Sequence, residues 1–374
     1  MNRVKVAMIG VGNISGIYLK NITQTFRELE LVGVCDLIRE RAEKAQAEYG
    51  IPKIYDTMHD AFRDPEVQIV LNLTRPYEHF EVSKAALLAG KHVYSEKPLG
   101  ADLAEGRELL RIATEKGLLL GGAPDTFLGA GIQTCRRLID DGYIGTPIGS
   151  AAYMIGCGHE CWHPDPEFYY KRGGGPMFDM GPYYLTAMIN LMGGVRRVFS
   201  ASRISYPKRT ITSQPQAGKV IDVDVNTYIA GTVEYASGAI GTIFTTFDVQ
   251  FPREKSRFIE IYGSEGTLFV PDPNNFSGTI QLYRPEEGEL RELPMMYGYP
   301  ENSRALGLAD MAKALMTGRE PRCAVQQTYH VLEIIEGFET SARTGCWTEM
   351  QSVYHRAPAM VRPVLKGILD GRDA

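Results

Sequence analysis

The stretch Val4-Lys5-Val6-Ala7-Met8-Ile9-Gly10-Val11-Gly12-Asn13-Ile14-Ser15-Gly16 decides the reading of this chain. A short apolar run with strand character ends in two glycines one residue apart, and the next segment, Ile17–Phe26, carries apolar residues at helical spacing. A strand that turns directly into a helix leaves the helix's first N–H groups without backbone partners, at the positive end of its dipole. In a dinucleotide-binding turn the first glycine permits the tight bend and the second lets a pyrophosphate approach those amides. The third position needs only a small residue, here Ser15. Asp36 closes the next strand about 20 residues further on, where a carboxylate accepts hydrogen bonds from ribose hydroxyls. The same charge repels a 2′-phosphate and so favours NAD over NADP, with Arg39 and Arg41 close enough to weaken that preference. Gly10, Gly12, Asn13, Ile14, Ser15 and Asp36 are the expected dinucleotide contacts.

Outward from this turn, short β-branched runs alternate with amphipathic stretches, the pattern of βαβ units and a parallel sheet. The expected strands are Val4–Ile9, Leu29–Cys35, Ile69–Leu73, His92–Ser95 and Leu118–Gly121, and the helices Ile17–Phe26, Arg39–Tyr49, His79–Ala89 and Leu103–Lys116. Near Pro124 the texture changes. A helix over Ile132–Asp141 and a strand over Gly149–Ile155 lead into a loop rich in Gly, His and aromatic residues. Alternating runs follow (Asn226–Glu234, Gly238–Phe247, Arg257–Tyr262), which read as an antiparallel sheet. Helices over Asn302–Thr317 and Ala324–Thr344 come last.

The chain of 374 residues exceeds a comfortable single core, so two domains are expected. Its net charge of -5 comes from acids and bases mixed along the sequence, which argues against nucleic acid and anionic membrane as partners. The six cysteines are scattered and the N-terminal residues lack a signal peptide's apolar run, so free thiols in a reducing cytoplasm are expected. No apolar stretch approaches the length of a membrane helix.

Three further motifs stand in order: Thr74-Arg75-Pro76 with His79; Ala89-Gly90-Lys91-His92-Val93-Tyr94-Ser95-Glu96-Lys97-Pro98; and Gly173-Gly174-Gly175-Pro176-Met177-Phe178-Asp179-Met180-Gly181. With the Gly10/Gly12 turn, this set resembles the Gfo/Idh/MocA oxidoreductases over nearly the whole chain. The resemblance implies an α/β protein: a doubly wound Rossmann domain at 1–124, then a substrate-binding α/β domain at 125–374. The second domain has a large, mostly antiparallel open sheet, and the late helices (302–344) pack back on it. It implies NAD(P)-dependent hydride transfer at a secondary alcohol carbon of a sugar, glycoside or cyclitol, oxidation at carbon 3 of a glycoside being one version. It also implies a homo-oligomer, dimer or tetramer, that pairs through the open sheet.

By the same resemblance, Thr74, Arg75, Pro76, His79 and Glu96 belong to the cofactor side, His79 as a support of the cofactor loop. Lys97, in a loop often carrying a cis peptide before its proline, stands beside the nicotinamide and the reacting hydroxyl. An ammonium there stabilises the charge left as the hydroxyl proton departs. Asp179 accepts a hydrogen bond from substrate or orients the acid/base group. Relatives place a histidine four residues after this aspartate, on the same helical face, whereas this chain has Tyr183. A phenol ordinarily titrates near 10 and serves as a base only beside a cation such as Lys97. Tyr183 as base therefore stands open beside His159, His163 or Lys97 alone.

Where relatives carry an arginine, this chain reads Ala123-Pro124-Asp125-Thr126-Phe127, which offers Asp125 and Thr126 as substrate partners. The loop Cys157-Gly158-His159-Glu160-Cys161-Trp162-His163 puts four potential metal ligands on one face of an extended segment. Zinc sites draw ligands from two separate segments, so no metal is expected. His159, Trp162 and His163 are expected to roof a sugar pocket instead. Two other classes remain: a glycoside-cleaving enzyme that recycles NAD through a keto sugar, and a non-catalytic dinucleotide sensor.

Overall fold

The computed structural model describes residues 3–251, 256–361 and 369. They divide into two compact units. One comprises the described residues of Met1–Ala130, Met296–Tyr329 and Pro358–Ala374, the other those of Gly131–Met295 and His330–Ala357.

In the first unit the chain runs β1 (Val4–Ile9), α1 (Ser15–Gln24), β2 (Leu29–Cys35), α2 (Arg39–Tyr49), β3 (Lys53–Ile54), α3 (Met58–Arg63), β4 (Ile69–Asn72), α4 (His79–Leu88), β5 (His92–Ser95), α5 (Leu103–Lys116) and β6 (Leu120–Gly122). The six strands form one parallel sheet in the order β3-β2-β1-β4-β5-β6. Val6, Ala7 and Met8 of β1 and Ile69, Val70 and Leu71 of β4 are fully buried, as central strands covered on both faces require. The α2 and α5 helices end on glycines in the left-handed conformation, Gly50 and Gly117. The pair β3 and α3 was not foreseen; a two-residue strand is too short to carry a period.

The second unit contains most of α6 (Ala130–Asp140), then β7 (Pro147–Ile155), α7 (Gly175–Asp179), α8 (Gly181–Met192), β8 (Val195–Arg203), a small hairpin of β9 (Lys208–Thr210) and β10 (Val220–Asp222), β11 (Tyr228–Tyr235), β12 (Ile240–Thr246), β13 (Arg257–Gly263), β14 (Thr267–Val270), β15 (Ile280–Tyr283) and β16 (Leu290–Leu293). After α9 (Leu306–Thr317) come α10 (Val325–Thr344) and β17 (Thr348–Glu349). Nine strands form a sheet ordered β16-β15-β14-β13-β7-β12-β11-β8-β17, antiparallel except at β7–β12. Every residue of α8 is buried. Phe338 of α10 fills the space over Gly231 of β11, so these helices close one face of the sheet. Phe199, Tyr228 and Ile240 lie exposed on its strands.

The segment of α9 groups with the first unit, and the division falls inside α10. Packing chemistry explains this. Asp310 of α9 is wholly buried; its carboxylate binds Arg319 Nη2 at 2.6 Å, Arg322 Nη1 at 2.5 Å and the Arg322 backbone N–H at 2.6 Å. At the helix's other end Asp125 accepts the Gly307 N–H at 3.1 Å, an acid at the positive end of a helix. Asp125 and Thr126, expected at the substrate, are thus core residues, each 1% exposed.

Replacing Asp310 with Ala is expected to strip a buried guanidinium of its carboxylate and lower stability by about 3 kcal/mol or more, read as a fall in the urea midpoint. Burial pushes the Asp125 carboxyl up to about 6, against the Gly307 amide and Arg304, which favour its charge. A raised carboxyl favours the folded state below its ordinary range, and that contribution is lost as pH rises through about 6. Asp125→Asn should therefore gain stability relative to the parent between about pH 4 and 7, by roughly 2 kcal/mol. Urea midpoints of both proteins that shift in parallel with pH would refute it.

Candidate functional site

In the first unit the turn after β1 has the geometry of an anion cradle. Gly10 has φ +95°, and a Cβ there would lie 2.7 Å from the Leu73 carbonyl oxygen, so a side chain is excluded. A Cβ on Gly12 would meet nothing within 4 Å; it would point into open space beside the first turn of α1. That turn has no side-chain cap and no acidic residue, so its amides face the opening. Ser15 is buried and its hydroxyl donates to the Gly12 carbonyl at 2.7 Å, while Asn13 and Ile14 are exposed on the lip.

Asp36 anchors the turn from β2. Its Oδ2 accepts the Val11 N–H at 2.6 Å and its Oδ1 the Ile38 N–H at 2.8 Å, and each oxygen keeps a lone pair for a ribose hydroxyl. Arg39 is committed elsewhere, to Asp56 at 2.5 Å and Glu43 at 3.0 Å. Its guanidinium is thus held by carboxylates, which strengthens the preference for NAD. These residues fit a bound dinucleotide: they would hold its pyrophosphate at Gly12 and α1 and its ribose at Asp36.

The loop after β5 is braced from below. Glu96 accepts the Tyr18 hydroxyl of α1 at 2.7 Å and the Lys97 N–H at 3.1 Å, which ties the loop to the helix. Lys97 is half-buried at the carboxyl end of β5, and its bond to Pro98 is cis. His79 spans two loops. Its Nδ1 lies 2.8 Å from the Pro98 carbonyl and its Nε2 2.9 Å from that of Thr74. Burial holds its pKa below the usual histidine range, against the two carbonyls, which favour the cation. The expected role as loop support fits this geometry. Thr74 is tied to Asn72, and Arg75 is exposed and donates to the Tyr77 hydroxyl at 2.7 Å, with Pro76 between.

In the second unit, the loop after β7 brings His159 and Asp179 together. Asp179 ends α7, and His159 Nε2 lies 3.3 Å from its Oδ2. The imidazole stacks on Tyr169 at 3.8 Å and 14°, meets Phe247 edge-on at 4.6 Å and has Trp162 at 5.3 Å. Its Nδ1 is buried without a hydrogen-bond partner among the described residues. His163 is differently placed: it is buried, its Nδ1 accepts the Asp165 N–H at 3.0 Å, and burial lowers its pKa. Its basic lone pair is already spent. Trp162 remains 58% exposed, an open apolar face.

Asp179 and Tyr183 do not share one continuous helix as expected. Pro182 lacks the N–H that would donate to Phe178, α7 ends at Asp179 and α8 starts at Gly181, and Tyr183 N–H bonds instead to the Met180 carbonyl at 3.0 Å. Sequence reading missed the cluster that holds the loop. Glu160 accepts the Tyr170 hydroxyl and Arg209 Nη1 at 2.5 Å, and Arg209 continues to Asp248 and to the Phe247 carbonyl at 3.0 Å. Nothing in sequence spacing announces Arg209, which lies far along the chain on the β9–β10 hairpin.

Comparison with known proteins agrees with both halves. Residues 4–122 match the sequence model of an oxidoreductase family with an NAD-binding Rossmann fold, and residues 132–269 match the GFO/IDH/MocA C-terminal domain. The chain is 26% identical over 364 residues to a D-glucoside 3-dehydrogenase of Escherichia coli, covering 93% of this chain and 97% of that one. It is 24% identical over 322 residues to a myo-inositol 2-dehydrogenase of Thermotoga maritima, covering 85% and 90%. Among solved structures, apo levoglucosan dehydrogenase has the same fold, with a TM-score of 0.81 at 19% identity over 95% of this chain and 100% of that one. Gly-x-Gly turn, Asp36, the Glu96-Lys97-Pro98 loop and the two matched domains together make this chain a member of the Gfo/Idh/MocA oxidoreductases, with an NAD-binding Rossmann domain at its N-terminus.

Proposed function

We propose that this protein oxidises a secondary alcohol carbon of a sugar, glycoside or cyclitol, and that the His159–Asp179 pair removes the hydroxyl proton. The observation that carries the reading is the 3.3 Å approach of His159 Nε2 to Asp179 together with its unpartnered Nδ1. A carboxylate at Nε2 fixes the Nε2–H tautomer, leaves Nδ1 as the basic atom and stabilises the imidazolium once it forms. Stacking on Tyr169 holds the ring at one angle. Lys97 supplies positive charge to the developing alkoxide. Bound NAD supplies the carbon that accepts the hydride. Tyr183 and the exposed face of Trp162 serve as sugar contacts, the first through its hydroxyl and the second by packing on ring C–H groups.

Substrate class rests on the relatives, whose names specify a glucoside, an inositol and levoglucosan, all ring polyols. The six free thiols fit a reducing compartment, the cytoplasm. A homo-oligomer is assigned to the sheet face that α8 and α10 leave uncovered. There Phe244, Tyr153 and Phe258 stand in register across β12, β7 and β13, with Tyr153 stacked on Phe258 at 5.0 Å and Tyr228 against Phe244 at 4.8 Å. A second copy related by a two-fold axis would cover this row.

His159→Asn is expected to lower kcat by about 100-fold or more with NAD affinity unchanged by calorimetry, while Tyr183→Phe stays within about tenfold of the parent. The opposite ranking would make the phenol the base. Nicotinamide absorbance at steady state separates the reaction classes: NADH should accumulate with a ring polyol, and turnover without net NADH would indicate glycoside cleavage instead. Tyr153→Glu should convert the assembly to monomer in light scattering; an unchanged mass would rule out this face.

A further inference from the structure

Beside the Asp36 turn a cation stands where a helix gains nothing from it. Arg39 is the first residue of α2, and the N-cap Ile38 before it supplies no side-chain cap. A helix start is the positive end of the dipole, so a guanidinium there costs stability where an acid would add it. Two carboxylates meet this charge: Arg39 Nη1 donates to Asp56 Oδ1 at 2.5 Å and its Nε to Glu43 Oε1 at 3.0 Å. Glu43 lies one turn further along α2, and an arginine N-terminal to its glutamate is the weaker order for such a pair. Asp56 reaches in from the loop between β3 and α3 and is 78% exposed. It does not cap α3, because Thr57 and Asp60 form that helix's capping box. Helix formation therefore asks for neither the cation nor Asp56.

Cofactor choice gives both a purpose. NADP differs from NAD by a phosphate on the 2′ oxygen of the adenosine ribose, and a guanidinium binds phosphate through paired N–H donors. Arg39 stands three residues from Asp36, at most about 11 Å of chain, and its side chain is long enough to close that distance. We propose that Glu43 and Asp56 are specificity-determining residues: they occupy the guanidinium donors that a 2′-phosphate would otherwise take. The inference rests on the reading of Asp36 as the ribose acceptor. Discrimination against NADP then has two parts. Asp36 repels the phosphate, and Glu43 and Asp56 withhold the one cation at the start of α2 that could offset the repulsion. Arg39, Glu43 and Asp56 are all exposed, so the second part weakens with salt.

The test compares the full chain with the double variant Glu43→Ala/Asp56→Ala, which removes both acceptors and leaves the Thr57–Asp60 cap intact. Dissociation constants for NAD and NADP are measured by calorimetry at low ionic strength. Expected are a gain in NADP affinity of about fivefold or more, with NAD within about twofold of the parent. The gain should shrink at about 0.5 M salt. Adding Arg39→Ala to the double variant should return NADP affinity to the parent's value or below. An NADP affinity that stays at the parent's value, an equal gain for NAD, or a gain that survives Arg39→Ala overturns the proposal. Failure of the ribose reading shows separately, as unchanged NAD affinity in Asp36→Ala.

Discussion

At Gly10 the chain leaves β1 in a left-handed conformation and passes so close to Leu73 that no side chain fits between them. This contact sets the first unit. It brings the turn onto the end of β4, and the Gly10 N–H, donating to the Cys35 carbonyl at 2.8 Å, ties it to the end of β2 as well. With three strand ends gathered around one turn, the Asp36 carboxylate reaches the Val11 amide at 2.6 Å, and the amides of α1 are aimed at a single opening. The cofactor's phosphates and its ribose are thereby addressed by groups whose positions the sheet fixes before any ligand arrives.

The same unit shows how buried charge holds late sequence to early sequence. Asp125 follows β6 and caps α9; Asp310 of α9 gathers Arg319 and Arg322. Neither carboxylate is accessible to substrate, and both have a structural reason to be acidic. Glu96 belongs with them, since its hydroxyl partner Tyr18 and its loop amide account for both oxygens. A carboxylate near a cofactor loop is thus a brace here, and what it braces is the half-buried lysine next to it.

In the second unit an irregular loop carries His159, and irregular backbone needs side chains to fix it. Arg209, 4% exposed at its side chain, does this by bonding Glu160 from the loop and Asp248 after β12. The Phe247 carbonyl takes another of its Nη donors, while Nε is buried with no partner among the described residues. With Glu160 pinned on one side and Tyr169 stacked on the other, His159 has one orientation, toward Asp179. A histidine from the loop in this way occupies the neighbourhood of the aspartate in a chain whose next helical turn offers Tyr183.

Local pattern was enough for the parallel sheet, because strand and helix periods, the glycine turn and the acid ending β2 all lie within a few tens of residues. It was also enough for family membership and for NAD, since each is carried by a contiguous motif. It could not show that Asp125 and Thr126 are buried, because that burial depends on α9, which arrives about 180 residues later in the chain. It placed Asp179 and Tyr183 on one helix, and the missing amide of Pro182 divided that helix in two. The choice among His159, His163 and Tyr183 was beyond the sequence altogether. All three have the right side-chain type, and it is folding that puts His163 Nδ1 on the Asp165 amide and His159 beside Asp179. Composition and period determine which elements form; which polar atoms are left over is decided by the partners that distant segments bring, and this is a property of the tertiary structure.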